Sequence, residues 1–179
     1  MAEIVLKSCT LRKWQPGDEG SLVLHANNYH VWKNLRDFFP HPYTHQDALD
    51  WINFCKDEEP VQNFAIVVNG QAAGGAGIAL HTDVDRKTAT TGYWLGQAHW
   101  GKGIATEVLR AMCHYSFQMF DLARLNADVF HTNIASGKVL EKAGFGREGY
   151  RKKACFKDGE FKDLVLYGLL KENFLDSGG

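Results

Sequence analysis

Apolar and polar residues alternate from Cys9 to Trp14 (CTLRKW), the period-two signature of a strand, and Pro16-Gly17 ends the run. Asp18 then stands where a helix cap belongs. The segment from Ser21 to Phe39 has helical spacing with a break near Asn27-Asn28, and Pro40 to Pro42 closes it. Thr44 with Asp47 three residues on is a capping-box variant, predicting a helix that places Ala48, Trp51, Ile52 and Cys55 on one face. Beyond Pro60 the period changes: NFAIVV and QAAGGAGIAL flank Asn69-Gly70, the dipeptide suited to a two-residue hairpin. A further strand is expected over Thr88 to Leu95, and a helix over Ile104 to Phe120 with Ile104, Val108, Ala111 and Tyr115 in one stripe. Arg124 to His131 alternates again. Asn133 opens a short helix aligning Ser136, Val139, Leu140 and Ala143, and Gly144 stops it with Phe145 packing back. Gly146 to Leu170 reads as two strands joined at Asp158-Gly159.

The order βαα, βββ, α, β, α, ββ describes an α/β (mixed α+β) chain: one central, mostly antiparallel twisted sheet of about seven strands with helices on both faces. At 179 residues a single domain over 1–179 is the expectation. No apolar run reaches the roughly 20 residues a membrane-spanning helix needs. The first residues lack the basic and apolar segments of an export signal, which predicts a cytoplasmic protein. A net charge of -1 argues against general nucleic-acid binding, although Arg147, Arg151, Lys152 and Lys153 form a local basic cluster. Cys9, Cys55, Cys113 and Cys155 lack paired spacing and read as reduced, buried thiols. His41 and His45 are spaced like metal ligands, but the flanking prolines break the helix they would need and no third ligand is evident, so no metal is expected.

The informative stretch is Tyr93 to Thr106, YWLGQAHWGKGIAT, where a strand leads through a glycine loop into a helix. A helix start presents unpaired N–H groups and partial positive charge, and glycines let the backbone approach a phosphate. The same glycines also suit a plain chain reversal. A nucleotide-hydrolase phosphate loop is excluded because Gly103 is followed by Ile104 and Ala105 instead of Lys and Ser or Thr. The dinucleotide fingerprint is disfavoured as well, since Thr106 stands where its third glycine belongs and the preceding strands read as antiparallel.

Trp100-Gly101-Lys102-Gly103-Ile104-Ala105 resembles the pyrophosphate motif of the GNAT acetyltransferases, Q/R-x-x-G-x-G/A. Gly103 and Ala105 hold its small positions, and Trp100 replaces the usual Gln or Arg as in the RimJ/RimL branch, acetyltransferases of ribosomal-protein N-termini and their relatives. Tyr93-Trp94-Leu95 is similar to the family's splayed strand. Asn133 to Ser136, with Glu141 to Phe145, is similar to its N-x-x-S and E-K-x-G-F helix, and KDGEFKDLVLYGLL to its final hairpin.

The resemblance implies transfer of an acetyl group from acetyl-CoA to a primary amine by direct attack in a ternary complex. It further implies that Trp94 and Leu95 hold pantetheine, that the amides from Lys102 to Thr106 within the loop Trp100, Gly101, Lys102, Gly103, Ile104, Ala105 hold the diphosphate, and that Asn133 and Lys142 assist. Ser136 stands where the family donates a proton to the departing thiol. Relatives often carry a Glu base where this chain has Thr90, and His81 is the replacement by position. An α-amine of pKa about 8 is roughly 10% neutral at pH 7, and a lysine amine only about 0.04% neutral, so an α-amine tolerates a weak base better. The acceptors implied are a peptide N-terminus or a small amine such as an amino sugar, polyamine or antibiotic, with Trp32, Phe38, Phe39 and Tyr43 as candidate acceptor-wall residues. A non-catalytic acyl-CoA-binding domain is the alternative. A monomer or homodimer is expected.

Overall fold

The computed structural model describes residues 3–176, so the ends of the expected 1–179 domain lie outside the described residues. In chain order its elements are β1 (Ile4–Val5), β2 (Thr10–Lys13), α1 (Glu19–Ala26), α2 (Tyr29–Trp32), α3 (His45–Cys55), β3 (Asn63–Val68), β4 (Gln71–Leu80), β5 (Thr88–Leu95), α4 (Ile104–Met119), β6 (Arg124–Phe130), α5 (Ile134–Lys142), β7 (Gly146–Lys157), β8 (Glu160–Leu170) and α6 (Lys171–Asp176). The eight strands form one sheet in the order β1-β2-β3-β4-β5-β6-β8-β7. Pairs β1/β2, β2/β3, β3/β4, β6/β8 and β7/β8 are antiparallel, and β5 pairs with β6 in parallel. The expected seven strands are joined by the two-residue β1, too short to show a period.

Local chemistry explains most boundaries. Asn69 and Gly70 have φ of 50° and 80°, and Asp158 and Gly159 have φ of 54° and 75°. Two successive left-handed residues match the twist of the flanking strands, and Asn, Asp and Gly tolerate that conformation at least cost. The Thr44 side chain accepts the Asp47 amide while Asp47 accepts the Thr44 amide, closing the capping box.

Three expectations are corrected. Asp18 does not cap α1 through its side chain; its buried carboxylate takes both Arg12 nitrogens at 2.7 and 2.8 Å and the Gln15 amide at 3.1 Å. A bidentate, charge-assisted contact outweighs a single neutral cap bond. The break expected near Asn27-Asn28 is there, with the Asn28 side chain accepting the His30 amide to start α2, but the helix that follows is a single turn ending at Trp32, short of the expected Phe39. On α4 the most buried residues are Ile104, Val108, Leu109, Met112, Cys113, Ser116 and Phe117, while Ala111 and Tyr115 are half-buried. The larger side chains turn the seam toward themselves, and buried Ser116 is satisfied by donating to the Met112 carbonyl at 2.6 Å.

Contacts within the chain cluster into two compact units, Met1–Gly77 with Tyr93–Val108, and Ile78–Gly92 with Leu109–Gly179. The core of the first gathers Trp14, Leu22 and Ala26 with Tyr43, Ala48, Ile52, Cys55, Ala65 and Ala72, with Phe39, Trp51 and Trp94 packed against it. In the second, Ala89, Leu109, Met112, Cys113, Leu125 and Leu169 are buried, and Phe117 packs on Phe174 at 5.8 Å between ring centroids. All four cysteines are free: Cys9, Cys55 and Cys113 are buried, and Cys155, expected inside, is half-buried on β7. Burial pushes the Cys55 and Cys113 thiols up to about 12, which makes them inert as nucleophiles.

Candidate active site

The loop from Gly96 to Gly103 lies wholly in the first unit. Gly101 and Gly103 have φ of +74° and +81°, and a Cβ built on either would meet no atom within 4 Å. Both glycines are exposed. The positive φ explains the residue type, and the clear space means that nothing of the protein covers the turn. Within α4, the amides of Thr106 and Glu107 both reach the Gly103 carbonyl, at 3.1 and 3.2 Å. Among the described residues the amides of Gly103, Ile104 and Ala105 have no acceptor. The Thr106 amide, expected in the cradle, is therefore already engaged, and the bare donors are those just before it. Three converging amides at the positive end of a 16-residue helix suit a diphosphate.

Side chains brace this loop from behind. The Trp100 indole N–H donates to the Leu95 carbonyl at 2.7 Å, and Lys102 Nζ donates to the Ala98 carbonyl at 2.8 Å. Trp100 thus ties the loop to the end of β5 and keeps no polar hydrogen for a ligand. The Gly96 amide donates to the Ala73 carbonyl at 2.8 Å. Asn28 Nδ2 donates to Gln97 Oε1 at 2.9 Å, and the His25 ring lies so close to Gly96 that a Cβ there would sit 2.5 Å from its Nδ1. His25 and His99 face each other at 5.2 Å between centroids. Burial, and then His99, push the His25 pKa down; burial, and then Lys102, do the same to His99. Trp94 lays its indole over Gly75, where a Cβ would stand 2.8 Å from its Nε1, and meets Phe39 edge-on at 5.4 Å.

The second unit holds the other candidates. The ladder of β5 with β6 consists of Thr88 with Arg124, Ala89 with Leu125 and Thr90 with Asn126, and stops there. His81, just after β4, is bound through both ring nitrogens: Nδ1 to the Thr88 hydroxyl at 2.8 Å and Nε2 to the Thr90 hydroxyl at 2.9 Å. Thr88 uses its own proton on the Asp85 carbonyl at 3.0 Å, so it accepts from His81 and places that ring's hydrogen on Nδ1. Nε2 is then the acceptor, and the Thr90 hydroxyl donates to it.

Asn133 caps α5 by accepting the Ser136 amide at 3.2 Å, and the half-buried Ser136 lies one turn in. Gly137 admits the Tyr167 hydroxyl, 2.8 Å from where a Cβ would be. Lys142 is exposed, and its carbonyl accepts Arg110 Nη2 at 2.7 Å. Of the acceptor-wall candidates, Tyr43 is core and Phe39 packs against it at 5.0 Å, Phe38 is 80% exposed, and half-buried Trp32 stacks on His41 at 5.3 Å. Tyr43 is thus a packing residue. Among the described residues no group of three or more His, Cys, Asp or Glu is arranged to hold a metal. Sequence reasoning missed the hydroxyl pair around His81; its signal was the spacing of Thr88 and Thr90, which puts both on one strand face. It also missed the clasp of His25 and Asn28 on Gly96 to His99, which no local pattern announces.

Residues 9–146 match the family model described as an acetyltransferase (GNAT) domain. The N-acetyltransferase p20 of Bacillus licheniformis is 28% identical over 97% of this chain and 99% of its own length. The ribosomal-protein-serine acetyltransferase of Escherichia coli is 37% identical over 68% of this chain and 76% of its own. A crystal structure of a GNAT-family acetyltransferase from Bacillus anthracis superposes with a TM-score of 0.81 at 25% identity, covering 96% of this chain and 99% of that one.

Proposed function

The chain belongs to the GNAT family, acetyltransferases that move an acetyl group from acetyl-CoA to an amine, and from that premise we propose that its acceptor is an α-amine, as at the start of a polypeptide. The observation that carries the coenzyme half of this reading is the uncovered turn at Gly101 and Gly103 with the bare amides of Gly103, Ile104 and Ala105, and the one that favours an α-amine is the His81 ring held between the Thr88 and Thr90 hydroxyls. These donors hold the cofactor's diphosphate, and the backbone of Trp94 and Leu95 holds its pantetheine. Because the Leu95 carbonyl already accepts the Trp100 indole, pantetheine pairs with the remaining groups of that strand. The single-domain reading of residues 1–179 and a cytoplasmic location belong to this proposal.

The acceptor nitrogen attacks the thioester carbonyl carbon, and the C–S bond breaks as the tetrahedral intermediate collapses. The ammonium proton passes to the Thr90 oxygen as the Thr90 proton passes to His81 Nε2, the direction set by the hydrogen bonds of that ring. Ser136 hydrogen-bonds the leaving sulfur, which takes its proton from solvent; a thiol of pKa about 8.5 ends protonated at pH 7, so a hydroxyl donor suffices, and His81 later returns the amine's proton to water. An α-amine suits this site because its ordinary pKa needs only the modest base that a histidine supplies.

The test is acetyl transfer from radiolabelled acetyl-CoA to three acceptors: a free-N-terminus peptide lacking lysine, an N-terminally blocked peptide containing lysine, and spermidine. Transfer to the first alone is expected. Transfer to spermidine alone would move the assignment to small amines, and cofactor binding without transfer to any acceptor would overturn the α-amine reading.

A further inference from the structure

The basic cluster at Arg147, Arg151, Lys152 and Lys153 has no part in the chemistry above, yet the fold builds it with care. It lies on β7, the last strand in the sheet order and therefore an edge. β7 carries five Lys or Arg and one carboxylate, a balance of +4 in a chain whose net charge is -1. The carboxylate, Glu148, is engaged with Arg124. Of the cations, Arg147, Arg151, Lys152 and Lys153 are exposed, and the contact of Arg151 with Asp128 is long, at 3.5 Å.

The register explains how the lysines are presented. Arg151 pairs with Leu164 and Cys155 with Lys162, so three residues of β7 stand against one of β8 and Lys152 to Ala154 bulge out. Asp163 props this bulge: its carboxylate accepts the Lys153 amide at 2.7 Å and the Tyr150 hydroxyl at 2.6 Å, with Lys153 held at φ 48°. Asp163 thus spends its hydrogen bonds on the bulge's own amide and hydroxyl, and of the two lysines it is Lys152 whose charge it feels. Beyond the bulge, Phe156 and Phe161 meet edge-to-face at 5.3 Å and are each 61% exposed, with Lys153 Nζ 5.7 Å above the Phe161 ring. Arg147 covers Tyr150 in the same way at 5.6 Å. Charges and a bulge are both ways in which edges ordinarily protect themselves from pairing. Two phenylalanines left in water beside the charges are not part of that protection, and aromatic anchors with a cationic rim are what a docking surface offers.

We infer that the β7–β8 hairpin is a docking surface for an acidic polypeptide segment, carboxylates meeting Arg151, Lys152 and Lys153 and an apolar residue covering Phe156 and Phe161. A polypeptide is favoured over nucleic acid because the cationic surface is confined to one hairpin of a chain that is acidic overall, too short a footprint to follow a phosphate backbone. The inference deepens the proposed function by naming the character of the acceptor protein beyond its first residues.

The probe is an N-terminally acetylated, fluorescein-labelled peptide of alternating Glu and Leu, which cannot be an acceptor, so its binding is read independently of any acetyl transfer. Fluorescence anisotropy on the full chain should show saturable binding that weakens steeply with salt. Lys152→Glu with Lys153→Glu should lower affinity at least ten-fold with thermal stability unchanged, and Phe156→Ser should lower it at salt concentrations where the charges are screened. Equal binding of the double variant, or equal binding of a Gln-Leu peptide, would overturn the inference. So would tighter binding of a single-stranded oligonucleotide, or a lysine-dependent dimer in light scattering in place of peptide binding. With free-N-terminus substrates, the double variant should raise KM for acidic peptides and leave kcat and the KM for neutral peptides alone.

Discussion

Two of the chain's strand-to-helix transitions, from β5 to α4 and from β6 to α5, differ in one respect. At the start of α4 the loop is glycine, the amides of Gly103 to Ala105 are left bare, and space is clear around them. At the start of α5, Asn133 turns its own side chain onto the Ser136 amide, and elsewhere in the same unit His81 satisfies Thr88 and Thr90. The first region keeps its donors available for something outside the chain; in the second, polar groups are held in place by one another. A ligand is gripped by donors whose partners are missing, whereas a proton moves along donors whose partners are already fixed. Changes in the first region should therefore show in binding, and changes in the second in rate.

The hardest test of this contrast is Gly103→Glu. It puts a side chain at φ +81° and a carboxylate beside the bare amides, and should weaken acetyl-CoA binding at least about 100-fold by calorimetry, some 2.7 kcal/mol. Next come Thr90→Val and His81→Gln, each expected to lower kcat/KM about 100-fold at pH 7 with cofactor affinity unchanged, while Thr90→Ser retains the rate. If the valine variant were fully active, the direction assigned to the proton path would be wrong. Asn133→Ala removes a cap and should cost about 1 kcal/mol, a fall in Tm of about 3 °C by calorimetry.

The smallest effect concerns pH. His25 and His99 have folded pKa values below their ordinary 6.5, so the unfolded chain binds more protons and stability rises with pH across that interval. Melting temperature should therefore be flat above about pH 7.5 and fall as pH drops through 6.5 toward the lower folded values. His25→Phe should flatten the profile below pH 7. An unchanged profile would remove the histidine clasp as its cause.

What could be read from the chain alone was whatever local physics decides. Asn69-Gly70 and Asp158-Gly159 demand left-handed turns, Thr44 and Asp47 close a capping box within four residues, and Asn133 caps the helix it precedes. The glycine loop was legible for the same reason, since positive φ is a property of a few neighbouring residues. Choices made by distant partners were not legible. Asp18 left its cap for Arg12, Tyr43 went into the core of the first unit, and His81 found two threonines across a turn. The seam of α4 rotated because side-chain volume, which a two-letter pattern ignores, decides what fills a core.

The replacement of an arginine or glutamine by Trp100 has a practical consequence. An indole 44% exposed, with its N–H fixed on the Leu95 carbonyl, stands in the same short loop as the bare amides, so the chain carries an intrinsic fluorophore in the loop proposed to hold the coenzyme. Seating of a coenzyme there should register as a change in tryptophan emission, and Trp100→Phe should reduce that signal to whatever Trp94 contributes while the nucleotide still binds.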